Sequence, residues 1–368
     1  MKRLHFWLLA LLLAPSIRLA QAQILIGQTV GVTGAVAATV KESSLGASMY
    51  LDAINAKGGV GGEKIELITL DDQFDTAQAA LNARKLIEER RVIALFMTRG
   101  TPHTVGLIPV LDQYGVPLIG PSTGAMVLHQ PLKRHVFNVR ATYQREAEKA
   151  IAHLASIGIT RIAVIHVDDS FGLDGLEGAQ KGLTNAKLKA VLITKFDRTK
   201  PDFSAVLPLI GPADAQAIMI IGSGTAVVDG IKTIKTAGHR AQFVTLSNNA
   251  SSGFTKLLGE HARGVIVSQV LPQSIGYALV NEATQLAKAR NITDLSPAML
   301  EGFASAKVLV EALRRAGAKP NRERLQSALE GMQKFDLGGL DISYSPTDHT
   351  GLDFADLSIV SADGKFRR

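Results

Sequence analysis

Small hydroxylic residues and glycines recur in this sequence directly after short runs of β-branched, apolar residues. The set comprises Thr33-Gly34, Thr101-Pro102, Ser122-Thr123-Gly124, Ser170, Ser223-Gly224 and Ser247-Asn248. In open α/β sheets, ligands bind at the carboxyl ends of the strands. Free N–H groups of helix starts, joined by hydroxyls, can hold a carboxylate there without a buried cation. Each residue alone could simply cap a helix, but together they predict a polar cleft.

The segment 120–124 matches the G-x-S-x-G pattern of the α/β-hydrolase nucleophile elbow, with Ser122 as the nucleophile. Asp214 and His239 follow in the chain order that such a triad requires. However, Pro121 restricts φ to about −65° immediately before the serine, whereas the elbow needs a strained turn at that place. We therefore expect no enzyme, and an exported hydrolase is the third of the functions considered.

The segment 222–224 resembles the start of a dinucleotide-binding fingerprint, because it lies between a predicted strand and a predicted helix. Val227 occupies the place of the third glycine. Ser247 and Asn248 follow the next predicted strand, where an acidic residue should bind the ribose. We therefore expect neither NAD nor FAD, and no other cofactor.

Metal binding has little support in this sequence. It contains no cysteine, and its nine histidines show no H-E-x-x-H or comparable spacing. The carboxylate pairs Asp71-Asp72 and Asp168-Asp169 lie at predicted strand ends, where adjacent side chains point to opposite faces. We expect these acids to cap helices or to form turns, and we expect no metal site.

The first 22 residues have the composition of a secretory signal peptide. Lys2 and Arg3 precede an apolar run at 6–14, and the segment closes on Ala20-Gln21-Ala22, a small-x-small cleavage pattern. The apolar run is much shorter than the ~20 residues that span a bilayer. We therefore expect residues 1–22 to be removed, and the mature protein to begin at Gln23 in the periplasm.

The length of the chain predicts its number of domains, and its net charge bears on whether it binds nucleic acid. A chain of 368 residues exceeds what one core usually organises, so two domains are expected. The formal net charge of +7 includes three basic residues of the first 22. The remaining mild excess is too small for a nucleic-acid-binding protein, so no nucleic-acid partner is expected.

Two consecutive series of strands and helices follow Gln23. Short apolar runs such as 24–30, 65–70, 92–97 and 117–119 alternate with segments of helical period, and a second such series begins after Arg140. This alternation is typical of parallel sheets that helices cover on both faces. After Leu271 the pattern becomes helical, and the tail at 340–345 and 353–360 predicts two further strands. The sequence thus predicts an α/β protein of two doubly wound lobes.

The sequence resembles a known family, the type I periplasmic solute-binding proteins of ABC importers, and within it the branched-chain amino-acid-binding (Leu/Ile/Val-binding) group. The resemblance covers almost all of the chain after Ala22. It rests on the order and spacing of the segments 26–27, 33–34, 46–59, 65–72, 114–117, 120–123, 137–140, 169–172 and 235–238. No one of these segments is diagnostic, but together they are fairly specific.

The resemblance implies two lobes of strand order 2-1-3-4-5, joined by three hinge crossings and closing on a ligand. We place the N-terminal lobe at 23–141 and 273–336, and the C-terminal lobe at 142–272 and 337–368. The implied partners are a membrane permease, its ATPase subunits and a small carboxylate ligand, and we expect the binding protein to be a monomer. A ligand-sensing protein of a signalling system, using the same fold, is the alternative.

The resemblance also implies a ligand site. The family's carboxylate-binding hydroxyl falls on Thr101, and the next strand-end contacts fall on Ser122 and Gly124. The aromatic residue that closes over the ligand falls on Phe171, and the acid that pairs with the ligand's ammonium falls on Ser247. The complete predicted ligand-binding set is Thr101, Pro102, Ser122, Thr123, Gly124, Phe171, Ser223, Ser247 and Asn248.

Ser247 departs from the family pattern in a way that bears on the ligand. A buried ammonium without an opposite charge is costly, so the missing acid argues against an ordinary α-amino acid. The hypothesis is a small carboxylate without an amine, aliphatic or aromatic, with Phe171 packing on it.

Overall fold

The first lobe is a parallel sheet covered by helices. The computed structural model describes residues 23–367, so the predicted signal peptide at 1–22 lies outside the described residues. Five strands form the first sheet in the order β2-β1-β3-β4-β5, all parallel. Its elements are β1 (Gln23–Val30), α1 (Ala37–Ala56), β2 (Lys64–Asp71), α2 (Thr76–Glu88), β3 (Ala94–Phe96), α3 (Thr101–Tyr114), β4 (Leu118–Ile119) and β5 (Val136–Phe137).

The second lobe repeats this arrangement and adds two antiparallel strands. Its elements begin with α4 (Tyr143–Ser156), β6 (Ile162–Val167), α5 (Ser170–Asn185), β7 (Leu192–Phe196), α6 (Leu207–Ala213), β8 (Ala217–Ile221), α7 (Thr225–Thr236), β9 (Gln242–Thr245), α8 (Ser252–Leu258) and β10 (Ile266–Gln269). The sheet order is β14-β13-β10-β9-β8-β6-β7. Its five parallel strands therefore repeat the predicted order 2-1-3-4-5.

The chain then returns to the first lobe before it ends in the second. The returning elements are α9 (Ala278–Lys288), α10 (Pro297–Ala316), α11 (Arg322–Glu330), β11 (Phe335–Asp336) and β12 (Asp341–Ile342). The last strands, β13 (Asp356–Val360) and β14 (Phe366–Arg367), complete the second sheet, with β13 antiparallel to β10. The predicted fold class, two doubly wound parallel-sheet lobes, is confirmed.

The division between the lobes differs from the predicted one after residue 336. Ile342, Tyr344 and Leu352 are buried in the core of the first lobe, although the sequence had assigned 337–368 to the second. The ring of Tyr344 packs edge-on against Phe137 at 5.4 Å, and its hydroxyl donates to the backbone oxygen of Asn138 at 2.6 Å. The chain therefore returns to the second lobe only after Leu352, because the β11–β12 hairpin presents its apolar residues to the first core.

Local sequence accounts for the ends of several elements. Helix α10 begins at Pro297, and the Ser296 hydroxyl caps it by accepting from the N–H of Met299. Gly58 and Gly59 follow α1 with φ of 99° and 79°, so this glycine cluster ends a helix and makes a turn. Within residues 23–367, no helix is long and apolar enough to cross a membrane.

Candidate functional site

The carboxyl ends of the two sheets face each other across an interlobe cleft, which is closed in this structure. The N–H of Thr225, at the start of α7 in the second lobe, donates to the backbone oxygen of Ala35 in the first lobe at 3.1 Å. A Cβ at Gly224 would lie 1.8 Å from that same oxygen. Backbone therefore meets backbone at this point, which only glycine at position 224 allows.

Thr101 and Thr123 meet on the first-lobe side of the cleft. Both are buried, and their hydroxyl oxygens are 2.8 Å apart. Thr101 is the first residue of α3 and Pro102 the second, so Thr101 does not cap this helix. The capping position belongs to Gly100, which has φ of 90° and no side chain that could accept from the helix N–H groups. The Thr101 hydroxyl is thus not used as a cap.

Ser122 is buried and forms hydrogen bonds with two buried charged side chains. Its hydroxyl donates to Glu301 at 3.0 Å and accepts from the guanidinium of Arg99 at 3.1 Å. A Cβ at Gly124 would lie 2.4 Å from the backbone oxygen of Ala141, so residue 124 must lack a side chain. A ligand contact by Ser122 stays a prediction, and its hydroxyl would have to give up its bond to Glu301.

The second-lobe residues divide into two groups. Phe171 lies in the first turn of α5, with its ring 4.7 Å from that of Tyr143. Asn248 donates to the backbone oxygen of Gly222 at 2.9 Å and to the Ser223 hydroxyl at 3.2 Å. Phe171, Ser223 and Asn248 therefore lie at the predicted strand-end edge.

Ser247 belongs to the other group, because it points into a cluster of buried charges. Its hydroxyl accepts from Arg140 at 2.7 Å, and its N–H donates to Glu146 at 2.9 Å. Arg140 also forms an ion pair with Glu146, and its Nη1 lies 3.7 Å from Glu301. Ser247 thus stands beside two carboxylates that already have a cationic partner.

Four charged residues of this cluster were missed by sequence reasoning: Arg99, Arg140, Glu146 and Glu301. All four are buried, and together they join both lobes, since Arg99 also donates to the backbone oxygen of Asn248. Glu301 carried a usable signal, because it lies inside the otherwise apolar first half of α10. The other three lie at ordinary helix and loop positions, and nothing in their sequence spacing indicates burial.

The charges of the cluster compensate one another. Burial alone would lower the pKa of Arg140, but the nearby Glu146, Tyr143 and Glu301 outweigh burial and raise that pKa above its ordinary value. For Arg99 burial prevails and lowers the pKa, although Tyr143 and Glu301 oppose it. Of the two arginines, Arg140 therefore has the stronger compensation by its acidic neighbours.

A cavity of about 200 Å³ lies between the lobes, next to Ser223. Phe74 lines it from the first lobe, and Phe196, Arg198 and Thr225 line it from the second. A larger groove of about 600 Å³ opens on the outer edge of the first sheet, but none of the predicted site residues lines it. The smaller cavity is the better candidate for a ligand, because both lobes enclose it.

Two helices begin at the cleft without a side-chain cap. They are α3 of the first lobe, after Gly100, and α7 of the second lobe, after Gly224. In their first turns, the N–H of Thr225 already donates to Ala35 and Pro102 has no N–H. The other first-turn N–H groups carry partial positive charge and lack intrahelical partners. By contrast, Asp169 caps α5 by accepting from Phe171 and Gly172, as expected for that carboxylate pair. The cleft thus offers donors for an anion.

The hydrolase triad is not assembled. Asp214 follows α6 and pairs with Arg161 at 3.3 Å, at the amino end of the second sheet. His239 follows α7 and so lies at the same amino end. Ser122 follows β4 at the carboxyl end of the other sheet. Across residues 23–367, no group of three or more histidine, aspartate or glutamate side chains could hold a metal ion.

Comparisons with known proteins agree with this architecture. The model of the periplasmic binding protein family matches residues 23–365. The Leu/Ile/Val-binding protein homolog 3 of Brucella melitensis is 24% identical over 335 residues, which cover 89% of this chain and 89% of that protein. An amino acid binding protein of Pseudomonas aeruginosa is 25% identical over 253 residues, covering 68% and 67% of the two chains.

Solved structures give the same answer. A substrate-binding periplasmic protein from Ralstonia solanacearum has a TM-score of 0.86 and 30% identity, covering 94% of this chain and 99% of that one. A leucine-binding protein from Thermotoga maritima, at 19% identity and a TM-score of 0.82, shares the fold over 94% of this chain and 98% of that one. The relatives are substrate-binding proteins and not enzymes, and this chain belongs to the periplasmic binding protein family, with the Leu/Ile/Val-binding type of fold.

Proposed function

We propose that this protein is the periplasmic solute-binding component of an ABC importer. It captures a small carboxylate by closure of its two lobes and delivers that solute to a membrane permease, which cytoplasmic ATPase subunits drive. The relatives named as Leu/Ile/Val-binding proteins support the importer class. The ligand class is argued from the cleft of this chain.

The single observation that carries the ligand class is the pair of uncapped helix starts, α3 and α7, on opposite sides of the cleft. An anion between them would receive N–H donors from both lobes and interact favourably with both helix dipoles. The hydroxyls of Thr101 and Ser223 stand beside these helix starts. Because these donors come from different lobes, only the closed form can supply all of them.

The acids of the cleft support a ligand without an amine. Glu146 and Glu301 are neutralised by Arg140, and Asp169 is paired with Arg198. An ammonium placed near them would compete with an arginine that is already in position. Since an unpaired buried ammonium is costly, we expect the site to favour plain acids over α-amino acids.

The mechanism follows from the geometry of closure. The open form exposes both helix starts to water, and closure exchanges that hydration for contacts with the ligand. A ligand that binds both lobes therefore shifts the equilibrium toward the closed form. A permease that contacts both lobes can then distinguish loaded from empty protein.

The test is calorimetric titration of the protein beginning at Gln23 with leucine, valine and a panel of aliphatic and aromatic carboxylates. We expect at least one acid to bind in the micromolar range or tighter, as usual for specific ligand sites, and leucine and valine to bind much more weakly. Thermal unfolding in the same panel is an independent measurement, because a ligand that binds only the folded state raises the melting temperature.

Tight leucine binding would contradict the ligand class while leaving the importer function in place. The importer function is supported if cells that lack this protein do not take up the bound acid and if its gene restores that uptake. Unchanged transport in those cells would contradict it.

A further inference from the structure

Arg198 is the one cation among the residues that line the interlobe cavity. Its Nε donates to Asp169, and its Nη2 forms an ion pair with the same carboxylate oxygen. This pairing fixes the guanidinium plane but engages only one side of it. Among residues 23–367, Nη1 has no hydrogen-bond partner, so both of its N–H donors remain for a ligand.

Phe74 faces this guanidinium from the opposite lobe. The centre of the Arg198 guanidinium lies 5.1 Å from the centroid of the Phe74 ring. On its other side, the Phe74 ring stacks on His103 at 4.3 Å, with an angle of 14° between the rings. An aromatic platform of the first lobe and a cation of the second lobe thus meet at one cavity.

The loop that carries Phe74 is built to hold it there. Gln73 and Phe74 both have positive φ, 53° and 60°, which is strained for residues other than glycine. The carboxylate of the buried Asp72 accepts from the N–H of Phe74 at 2.9 Å, and that of Asp71 accepts from Gln73 at 2.9 Å. The pair Asp71-Asp72, for which the sequence predicts a turn, therefore positions an aromatic ring.

The charged groups at the cavity are Arg198, its partner Asp169 and Asp229. Burial lowers the pKa of His103, so its imidazole, stacked on Phe74, is neutral at pH 7 and adds no charge. Asp229 also lines the cavity, but it is exposed, so water screens its charge.

From this geometry we infer that Arg198 and Phe74 form the specificity-determining clamp of the site. The Nη1 of Arg198 binds the anionic group of the ligand next to the start of α7. Because His103 and Arg198 already cover the Phe74 ring, it is the edge of this ring, at the cavity, that packs on the planar, apolar part of the same ligand. This inference rests on the proposed function and narrows its ligand class to small aromatic acids. It also explains why ligand binding favours the closed form, since the two residues belong to different lobes and contact the same ligand only when the lobes are closed.

The test compares acids with their neutral isosteres. Benzoate against benzamide, and pentanoate against pentanamide, are titrated into the wild-type protein, Arg198→Gln, Arg198→Lys and Phe74→Leu. The matched control is Arg161→Gln, because Arg161 also pairs with an aspartate of the second lobe but lies at the far end of the sheet. Thermal unfolding without ligand checks that each variant is folded.

We expect the wild type to prefer benzoate to benzamide, and Arg198→Gln to lose about ten- to a hundredfold in affinity for the acids while its affinity for the amides is unchanged. Arg198→Lys should recover part of the acid preference. Phe74→Leu should weaken the binding of benzoate more than the binding of pentanoate, since only benzoate has a ring face for the edge of Phe74 to contact. Arg161→Gln should behave as the wild type.

Three outcomes overturn the inference. An acid that binds the wild type and Arg198→Gln equally well removes Arg198 from recognition but leaves the proposed solute-binding function intact. Equal weakening of benzoate and pentanoate binding in Phe74→Leu means that the Phe74 ring does not recognise the aromatic part of the ligand. Binding of neither acid by the wild type, with another solute bound, contradicts the carboxylate class itself.

Discussion

At the scale of single residues, the cleft uses its hydroxyls in different ways. Ser122 and Ser247 form hydrogen bonds with buried charged residues. The Ser122 hydroxyl bonds to Arg99 and Glu301, and the Ser247 hydroxyl bonds to Arg140. Thr101 and Thr123 bond only to each other among the described side chains. A ligand carboxylate could therefore replace the bond between the threonines without uncovering a charge.

Thr101→Ala should weaken binding of the acid identified by titration by about 1 to 3 kcal/mol, the range for leaving a charged acceptor without its donor. Calorimetry measures this change directly. Thr101→Ser is the matched control, because it retains the hydroxyl at the first position of α3. Equal affinity of the alanine variant and the wild type would exclude a contact between Thr101 and the ligand.

At the scale of elements, helices α4 and α10 and strand β10 converge on the buried charges. Glu146 projects from α4 and accepts from the hydroxyl of Ser268 on β10 and from the N–H of Ser247. Glu301 projects from α10, a helix of the first lobe, toward Arg140. Burial of such charges is tolerated only when each keeps its partners, so these elements depend on one another.

Glu146→Gln should lower the free energy of unfolding by about 3 to 5 kcal/mol, because Arg140 then remains buried with a weaker partner. Urea unfolding followed by circular dichroism measures the change. Asp214→Asn breaks an exposed pair with Arg161 in the same lobe and should cost at most about 1 kcal/mol. Similar losses for the two variants would contradict a structural role for the buried cluster.

At the scale of the whole molecule, α8 of the second lobe lies against α1 of the first. The Glu42 carboxylate accepts from the N–H groups of Ser252 and Gly253 at 2.9 and 2.7 Å. The hydroxyls of Thr39 and Ser251 are 3.0 Å apart. A Cβ at Gly253 would lie 2.8 Å from that of Ala38, so the two helices approach too closely for a side chain at residue 253.

Gly253→Leu should hinder closure and weaken ligand binding by about tenfold or more, because the leucine must displace α1 before the lobes meet. Small-angle scattering with saturating ligand should show a larger radius of gyration than in the wild type. The control is Gly211→Leu in α6, where the nearest atom to a new Cβ is 4.0 Å away. A compact, tightly binding Gly253→Leu protein would show that α1 and α8 do not limit closure.

The amino-acid sequence by itself determined the α/β class and the arrangement in two doubly wound lobes, while the strand order 2-1-3-4-5 came from the family resemblance. The alternation of strands and helices follows from periodicities of a few residues. The turn at Gly58-Gly59 and the cap at Ser296 are local in the same sense. Such features depend on neighbours along the chain, and those neighbours are visible in a sequence.

Tertiary structure alone decided which charges are buried and where the chain crosses between lobes. Arg99 reaches Asn248 across 149 positions of sequence, and Ser122 reaches Glu301 across 179. The path of 337–352 depended on whether Tyr344 packs against one core or the other. Pairings of this kind are set by shape and charge complementarity between distant segments, and a single sequence carries no periodic signal for them. For the same reason, the contact between Phe74 and Arg198 depends on how the two lobes lie against each other, and no sequence pattern predicts it.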